Sequence, residues 1–423
     1  MTLSAIISKH YPATDYEALY KHFHANPELS FCEHETADTI AAKLSAIFSD
    51  SSDFTIATGI GGTGIAAVLK NGTGRIVALR ADTDALPVRE QTGLPYASTK
   101  RMKDFEGNEQ PVMHACGHDY HMTSLIATAE LLYSARDAWS GTLVLIFQPA
   151  EEKGKGAQAM VDDGLYTKHK TPIPDVVLGA HVMPSRTGSI GMRKGIMASS
   201  ADSYRVTFHG HGGHASQPHL GMDPVMMAAY AATRLNGIIA REIEASQMAT
   251  LTVPVIKAGE AENVIPDTAE MKLDIRAYDD GVRKQLNEGM KRVVKAEAIA
   301  AGAAQEPTID TIRTFPITFN DHATTEKLEA AFEEHFGNNY DSGPQLQGSE
   351  DFPILATSVN RPSCFFVYGG TEAALYDSKE KDGKLKELPI NHSAKFAPVI
   401  QPTLKTAIEG LSVAALTWLA NSD

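Results

Sequence analysis

Cysteine is scarce in this sequence, and the three that occur (Cys32, Cys116 and Cys364) lie far apart. An odd number of widely spaced cysteines in a long chain argues against the disulfide framework of a small secreted protein. Reduced thiols are the simpler expectation, and they favour a cytoplasmic protein. The N-terminal segment is interrupted by Lys9 and His10 and has no apolar stretch typical of a signal peptide, so we expect none.

Long apolar runs and clusters of basic residues are missing as well. No run approaches the ~18 apolar residues that predict a transmembrane helix, so we expect no membrane partner. The 38 basic residues are outnumbered by 52 acidic ones, which gives a net charge of −14. Nucleic-acid binding relies on concentrated positive charge, so this composition argues against a nucleic-acid partner. A hydrophobic fraction of 43% and a charged fraction of 21% are typical of a globular protein.

The first 190 residues alternate helical and strand patterns. The short β-rich runs "RIVALRAD", "GTLVLIFQP" and "DVVLGAHV" are apolar enough to be buried on both faces of a sheet. Helical spacing occurs between them, for example in "ETADTIAAKLSAIF" and "TSLIATAELLYSA". Strands that alternate with helices predict an α/β fold, here a three-layer α/β/α domain.

The pattern changes at about Ser199. From there the predicted order is strand, helix, strand, strand, helix, strand, which is the order of a ferredoxin-like α+β domain. After about Pro316 the chain again resembles the first part. We therefore expect a discontinuous domain over residues 1–198 and 312–423, with a second domain inserted at 199–311.

A dinucleotide site is the first chemistry to consider, because "GIGGTG" at Gly59–Gly64 fits the G-x-G-x-x-G pattern. Asp82 even lies at about the distance expected of a ribose-binding acid. However, only "IAAVLK" separates the last glycine from the turn "NGTG", which predicts strand, turn and strand. Without a helix N-terminus to hold a pyrophosphate, the context argues against this site.

The stretch "VMHACGHDYH" offers two further chemistries. A cysteine nucleophile at Cys116 needs one thiolate and one base, which leaves carboxylates and histidines elsewhere unexplained. A metal site would use them all. The candidate donors, most of them where a strand pattern stops, are Cys116, His118, Glu151, Glu152, His181 and His392. A lone Glu-Glu pair is usually solvated and a lone histidine is usually a hydrogen-bonding residue, but all four segments together are not expected by chance. Five of these donors, Cys116, His118, Glu152, His181 and His392, already exceed the need of one tetrahedral zinc, so two ions that share ligands fit better.

The chain also resembles a known family. The motifs that carry the resemblance extend almost from end to end: "HANPELSF", "ALRADTDALPV", "MHACGHDYH", "IFQPAEE", "GAHVMP", "GHGGHASQPHLGMDP", "NVIPD", "DIR", "GSEDF" and "NHSAKF". They are similar to those of the M20 metallopeptidases, specifically the amidohydrolase branch with hippurate hydrolases, N-acyl-amino-acid deacylases and plant auxin-conjugate hydrolases.

The resemblance implies a zinc-exopeptidase-like fold and a role for each motif. Two divalent ions, zinc or manganese with cobalt or nickel as alternatives, would be held by Cys116, His118, Glu152, His181 and His392. Glu151 would be the catalytic base, and the inserted domain would be a lid that also forms a homodimer. From that lid, His214 would stabilise the oxyanion in the partner subunit's site, while Asn263 and Arg276 would bind substrate.

Some positions receive no ligand role or only a supporting one, and others depart from the family pattern. Asp82 stands where other M20 branches have a ligand histidine, and we assign it no ligand role. Asp84 and Asp119 are expected at most to hydrogen-bond to metal ligands, without binding metal themselves. The departures are Tyr120 where a small residue is usual, Ala394 where proline is usual, and His211 where lysine is common. They leave the metal site intact and put the substrate in doubt.

These observations predict an enzyme, a metal-dependent amidohydrolase acting on linear amide bonds. It would hydrolyse N-acyl amino acids to a carboxylic acid and a free amino acid. A dipeptidase or carboxypeptidase with the same site is the alternative among enzymes. A non-catalytic binding member of the fold is the alternative from another class, and the presence of both Glu151 and the full ligand set argues against it.

Overall fold

The computed structural model describes residues 2–104 and 107–421. The helices are α1 (Leu3–His10), α2 (Tyr16–Ala25), α3 (His34–Ile47), α4 (His118–Ser134), α5 (Gly156–Asp162), α6 (Pro224–Glu242), α7 (Asp280–Ala300), α8 (His322–Phe336), α9 (Ile354–Thr357), α10 (Ala373–Lys381) and α11 (Ile400–Leu419). The strands are β1 (Phe54–Ile60), β2 (Gly64–Asn71), β3 (Ile76–Asp82), β4 (Arg101–Lys103), β5 (Glu109–Pro111), β6 (Gly141–Gln148), β7 (Val176–Arg186), β8 (Ile190–Met192), β9 (Gly195–Ala198), β10 (Ser200–His209), β11 (Gly213–His214), β12 (Ala249–Ala258), β13 (Val264–Ile265), β14 (Thr268–Ala277), β15 (Thr308–Phe315), β16 (Thr318–Asn320), β17 (Tyr340–Ser342) and β18 (Ser363–Thr371). Among the helices of these described ranges, none has the length and apolarity needed to cross a membrane.

The elements form two compact units. Within the described residues, the first unit consists of residues 2–197, Phe319–Gln345 and 351–421, and the second of Ala198–Thr318 and Leu346–Glu350. The second unit extends beyond the predicted insertion at 199–311, because its last strand, β15, continues to Phe315. It also takes in a short later segment, where the Tyr278 hydroxyl donates to the Leu346 carbonyl at 3.1 Å.

The first unit is built on a mixed sheet with the strand order β1-β2-β6-β3-β7-β18-β8-β17. Strand β3 runs parallel to both β6 and β7, and β7 runs parallel to β18, while β1, β2 and β6 pair in antiparallel fashion. Helices α4 and α11 pack against each other and against β3, and α5 and α9 contact β6 and β7. The predicted three-layer α/β/α domain is confirmed.

Strand β3 shows why both faces of this sheet are buried. Val77, Leu79 and Ala81 belong to the main apolar core, which also contains residues of α4 and α11. Side chains alternate between faces along a strand, so Arg80 points the other way. It donates through Nε to Gln148 at 2.9 Å and is fully buried. A run with little polar alternation in the sequence is therefore a strand covered on both sides.

The second unit has the predicted ferredoxin-like topology. Its chain order is β10-α6-β12-β14-α7-β15, and its antiparallel sheet has the order β12-β14-β10-β15. Burial alternates along β14, whose inward side chains include Leu273 and Ile275. These residues pack with α6 and α7 in a core of their own. The short ribbon β11–β13 is separate from this sheet.

Candidate metal centre

A tight turn precedes α4 and brings two donors together. Gly117 has φ of +83°, a left-handed conformation that side chains rarely adopt. A Cβ atom at this position would lie 2.3 Å from Val182 Cγ1, so only glycine fits against β7. The turn places Cys116 just before the helix and His118 at its first residue, both buried. The two-residue spacing of Cys116 and His118 in the sequence therefore corresponds to this tight turn around Gly117.

His118 is oriented with one ring nitrogen available to a cation. Its Nδ1 donates to the Asp84 carbonyl at 2.7 Å, whereas its buried Nε2 has no hydrogen-bond partner among the described residues. That nitrogen lies 3.6 Å from Asp82 Oδ2 and 3.9 Å from Glu152 Oε1. Burial opposes protonation, but the charges of Asp82, Asp84 and Glu152 outweigh it and raise the pKa of His118 to about 10. The surroundings favour positive charge at this point.

His181 faces the same space from β7. Its Nδ1 donates to the Val182 carbonyl at 2.7 Å, and its Nε2 lies 3.4 Å from the Cys116 sulfur. Burial lowers the pKa of His181 well below its ordinary value, so the ring is neutral and can offer a lone pair. The sequence placed His181 near the end of a strand, but β7 continues to Arg186 because β18 pairs with it along this stretch.

The backbone of the two neighbouring glutamates is held by one buried aspartate. The N–H groups of Glu151 and Glu152 donate to the two carboxylate oxygens of Asp84, each at 3.1 Å. Ala150 before them has φ of +50°, and its N–H donates to Glu33 Oε1 at 2.9 Å. The Glu151 side chain is buried, and Glu152 Oε1 is buried without a hydrogen-bond partner in the part of the chain that the structure describes.

His392 reaches this space from the loop before α11. Its side chain is 53% exposed, and its Nε2 lies 3.3 Å from Glu152 Oε1. Its backbone N–H donates to the Ala115 carbonyl at 2.8 Å, beside Cys116. The preceding Asn391 donates its side-chain amide to the Val182 carbonyl at 3.2 Å. The loop is therefore attached to both the α4 turn and β7.

The structure brings all five predicted ligands together in the first unit. Donor atoms of Cys116, Glu152 and His392 lie within 4.8 Å of one another, and so do those of His118, Glu151 and Glu152. His181 belongs to a further group of this kind, with Asp82, His118 and His121. Two buried donor atoms without partners, His118 Nε2 and Glu152 Oε1, belong to these sets. Unpaired buried polar atoms are costly, and a cation that displaces the imidazole proton would satisfy both. Glu152 links the donors around Cys116 to His118, and His118 links them to His181, so the residues fit two ions that share ligands.

A second buried group lies beside the ligands: Asp82, to which the sequence assigned no ligand role, and His121, for which it predicted no role. Asp82 accepts from Arg80 Nη1 at 2.7 Å and from His121 Nδ1 at 2.5 Å. His121 Nε2 accepts the Val182 N–H at 2.9 Å, so both of its ring nitrogens are engaged. Despite burial, Arg80 holds the pKa of Asp82 well below its usual range. The pair therefore orients Val182, the carbonyl partner of His181, and we assign neither residue as a ligand. The histidine three residues after His118 was the available signal.

The two aspartates expected to support ligands occupy different surroundings. Asp84 contacts His118 and the glutamate loop, as described above. Asp119 instead accepts from His24 Nδ1 at 2.7 Å, and His24 Nε2 donates to Glu90 at 3.0 Å. Nearby, both ring nitrogens of buried His114 have no hydrogen-bond partner among the described residues, and burial lowers its pKa to about 4.

His214 and Asn263 lie side by side in the second unit. His214 pairs with Val264 in the β11–β13 ribbon, and the Ala215 N–H donates to the Asn263 carbonyl at 3.0 Å. The Ser216 N–H donates to His214 Nδ1 at 3.1 Å. A neutral His214 therefore carries its proton on Nε2, which makes that nitrogen a hydrogen-bond donor. The ring is exposed.

Arg276 lies on β14 of the same unit and is held in place by several acceptors. Its Nε donates to Asp274 Oδ1 at 2.8 Å, and its Nη1 donates to the Gln347 carbonyl at 2.9 Å and to Ser349 Oγ at 3.3 Å. Asp274 is itself fixed by the Ser203 hydroxyl at 2.8 Å. The short segment Leu346–Glu350 thus positions a guanidinium that the sequence predicted to bind substrate.

Comparisons with known proteins agree with the geometry. The family description "Peptidase family M20/M25/M40" matches residues 78–390 of the chain. A hippurate hydrolase from Campylobacter jejuni is 37% identical over 86% of this chain and 89% of its own length. Thermostable carboxypeptidase 2 from Saccharolobus solfataricus is 33% identical over 88% of each chain. The crystal structure of Bacillus subtilis YXEP, a dinuclear metal-binding peptidase from the M20 family, superposes with a TM-score of 0.70 at 27% identity, covering 97% of this chain and 98% of that one.

Proposed function

Because the chain belongs to peptidase family M20/M25/M40, we propose that it is a two-metal amidohydrolase of N-acyl amino acids. It would release a carboxylic acid and a free amino acid. The observation that carries the proposal is the pair of donor sets that share Glu152, with His118 Nε2 and Glu152 Oε1 otherwise unsatisfied. The similarity to a hippurate hydrolase over most of both chains supports the N-acyl amino acid as the substrate class.

The ligands proposed for the two ions are Cys116, His118, Glu152, His181 and His392. When bound, divalent cations supply Lewis acidity, which lowers the pKa of water and polarises a carbonyl group. A mixed set of thiolate, imidazole and carboxylate donors accepts zinc or manganese, and also cobalt or nickel. We propose zinc or manganese as the native metal.

Glu151 is the proposed proton carrier. Its side chain is buried with 4% exposure, and its donor atoms lie within 4.8 Å of those of His118 and Glu152. The bond from its N–H to Asp84 fixes the backbone from which the carboxylate projects. The carboxylate would take a proton from the attacking water and later deliver it to the departing amine nitrogen. A buried, positioned carboxylate is suited to both transfers.

The second unit is the proposed lid. His214 would donate from Nε2 to the oxyanion, and Asn263, its neighbour on the ribbon, would assist substrate binding. Arg276 would pair with the substrate carboxylate, since its planar guanidinium matches that group. We propose that the unit also forms a homodimer and that His214 serves the partner subunit's site. A cytoplasmic location accords with the scarcity of cysteine.

A dipeptidase or carboxypeptidase is the second candidate, favoured by the similarity to a thermostable carboxypeptidase. The two candidates share the metal centre and a carboxylate-binding arginine such as Arg276. They differ in what precedes the scissile amide, which is a simple acyl group in one case and an aminoacyl group in the other.

The test is a hydrolysis screen with zinc, manganese, cobalt or nickel added separately. N-acetyl, N-benzoyl and indole-acyl amino acids are compared with dipeptides that have the same C-terminal residue, and release of the free amino acid is measured. We expect faster hydrolysis of the acyl compounds. Glu151→Gln is the matched control, because it retains the ligands and reveals contaminating hydrolases. Faster cleavage of the dipeptides would favour the peptidase. A fully metal-loaded protein that cleaves neither class would be a binding protein.

A further inference from the structure

The proposed ligand His392 has a backbone conformation that is costly by itself. Its φ is +71°, in the left-handed region that residues other than glycine rarely adopt. Its side chain is 53% exposed, so burial contributes little to holding it in place. Such conformations persist where surrounding contacts determine them. The loop from Asn391 to Pro398 must therefore be restrained by its neighbours.

The restraints are spread along this loop. At its start, the His392 N–H donates to the Ala115 carbonyl at 2.8 Å. In the middle, the Ala394 carbonyl accepts the Gln91 N–H at 2.8 Å. At its end, the Pro398 carbonyl accepts the Tyr120 hydroxyl at 2.6 Å. The third contact differs from the others because it comes from a side chain on α4.

Tyr120 is well placed to act as a rigid support. It is fully buried, and its ring packs against the ring of Tyr20 with centroids 4.2 Å apart. It lies on α4 two residues after His118, so the same helix carries a proposed ligand and the support of another. The hydrogen bond from its hydroxyl joins two residues that are 278 positions apart in the sequence, Tyr120 and Pro398.

We propose that Tyr120 is a positioning residue which preforms the His392 metal site by anchoring the far end of the Asn391–Pro398 loop to α4. Because Tyr120 is fully buried and its hydroxyl is engaged by Pro398, it acts through the loop that carries His392. Ala394 leaves the middle of this loop without the φ restriction of a proline, which increases the need for an anchor at Pro398. The inference rests on the proposed assignment of His392 as a ligand.

The experiment measures zinc binding to the metal-free full chain, by competition with a chelating indicator, in four proteins. Wild type is compared with Tyr120→Phe, His392→Ala and Tyr166→Phe. Tyr166 is a matched control, because its hydroxyl also donates to a backbone carbonyl, that of Leu355, at 2.7 Å. The zinc-binding step whose affinity falls in His392→Ala is the step that needs this histidine.

We expect Tyr120→Phe to weaken that same step by about tenfold, because the metal-free loop is no longer held in the binding conformation. The intrinsic affinity of the other site, obtained by fitting both titrations with coupled sites, should stay unchanged. Tyr166→Phe should leave both zinc affinities unchanged, although the loss of a similar hydrogen bond lowers the melting temperature of both phenylalanine variants. If Tyr120 had only a structural role, its substitution would not lower the zinc affinity of one binding step alone.

Two results would overturn the inference while leaving the proposed function standing. One is an unchanged zinc affinity in Tyr120→Phe when His392→Ala has lost a step. The other is an equal loss in Tyr120→Phe and Tyr166→Phe. An unchanged zinc affinity in His392→Ala would instead refute the ligand assignment itself. If Tyr120→Phe does not fold, hydrogen exchange of the His392 amide in metal-free wild type decides: protection supports a preformed loop and rapid exchange contradicts it.

Discussion

The backbone N–H of Glu151 donates to Oδ1 of Asp84 at 3.1 Å. The other oxygen of the same carboxylate accepts the N–H of Glu152, and the Asp84 carbonyl accepts from His118. One buried aspartate therefore holds the proposed base and two proposed ligands in a fixed relation. We expect Asp84 to act on the chemistry through the backbone and ring orientation of these residues, since both of its carboxylate oxygens accept backbone N–H groups.

The neighbouring glutamates are expected to differ in what their substitution removes. Glu151→Gln should keep its metal and lose at least ~10²–10⁴-fold in turnover, because it removes a general base. Glu152→Gln should weaken metal binding, because its carboxylate lies near both His118 and His392. Metal content by elemental analysis and turnover of an N-acyl amino acid separate the two effects.

Each glutamate variant is the control for the other, since the two residues are adjacent in one loop and their N–H groups donate to the same carboxylate. Equal loss of metal from both variants would contradict this division of roles.

Cys116 is expected to bind metal and not to act as a nucleophile. Cys116→Ala should lower the metal bound per subunit, because the sulfur lies among the donors of Glu152 and His392 and 3.4 Å from His181. Cys364→Ala is a suitable control, since that thiol is buried in the apolar core. A covalent acyl adduct on Cys116 during turnover, together with full metal content in the alanine variant, would contradict the prediction.

His214 is expected to work across a dimer. His214→Ala should retain its metal and lose ~10²–10³-fold in turnover, the usual effect of removing one oxyanion donor. Mixing it with Glu151→Gln under subunit exchange should restore activity to about a quarter of wild type, since about half the dimers are mixed and each has one intact site.

The mixing experiment has a built-in comparison, because neither parent variant alone should gain activity on exchange with itself. Mass spectrometry can show that mixed dimers have formed. If activity still does not recover, His214 serves its own subunit's site or has no catalytic role.

His24 should make folding stability depend on alkaline pH. Burial by itself lowers its pKa, but the carboxylates of Asp119 and Glu90 outweigh burial and raise the pKa to about 9. The folded state thus binds this proton more tightly than the unfolded chain, whose histidine titrates near ~6.5. The stabilisation is fully present below about pH 6.5 and is lost as pH rises through about 9, up to about 3 kcal/mol in total.

The measurement is the free energy of unfolding in urea of metal-free wild type and His24→Gln, at about pH 6 and about pH 9.5. The gap between the two proteins should narrow at the higher pH, because other titrating groups are common to both. A gap of the same size at both pH values would contradict the raised pKa of His24.

Much of this molecule was predictable because the signals were local. The strands around "RIVALRAD" and "GTLVLIFQP" and the order of elements in the second unit followed from periodicity. Donor residues such as Glu152 and His392 stood out at the ends of predicted elements. For these, residue type and position in an element carry the information.

Other features depend on contacts between distant positions. The hydroxyl of Tyr120 meets the carbonyl of Pro398, and His121 uses both ring nitrogens on Asp82 and Val182. Sequence periodicity does not encode such pairings, because neither residue of a pair carries a local signal that identifies its distant partner. The continuation of β7 past His181 likewise depends on β18, a strand far along the chain.

The position of Glu152 in both donor sets has a thermodynamic consequence. Two sites that use one carboxylate cannot bind their ions independently, since the first ion redistributes the negative charge that attracts the second. Whatever factor the first ion imposes on the affinity of the second, the second imposes on the first. Metal titrations of this protein should therefore follow a cooperative isotherm, positive or negative, and an ion exchanged at one site changes the occupancy of the other.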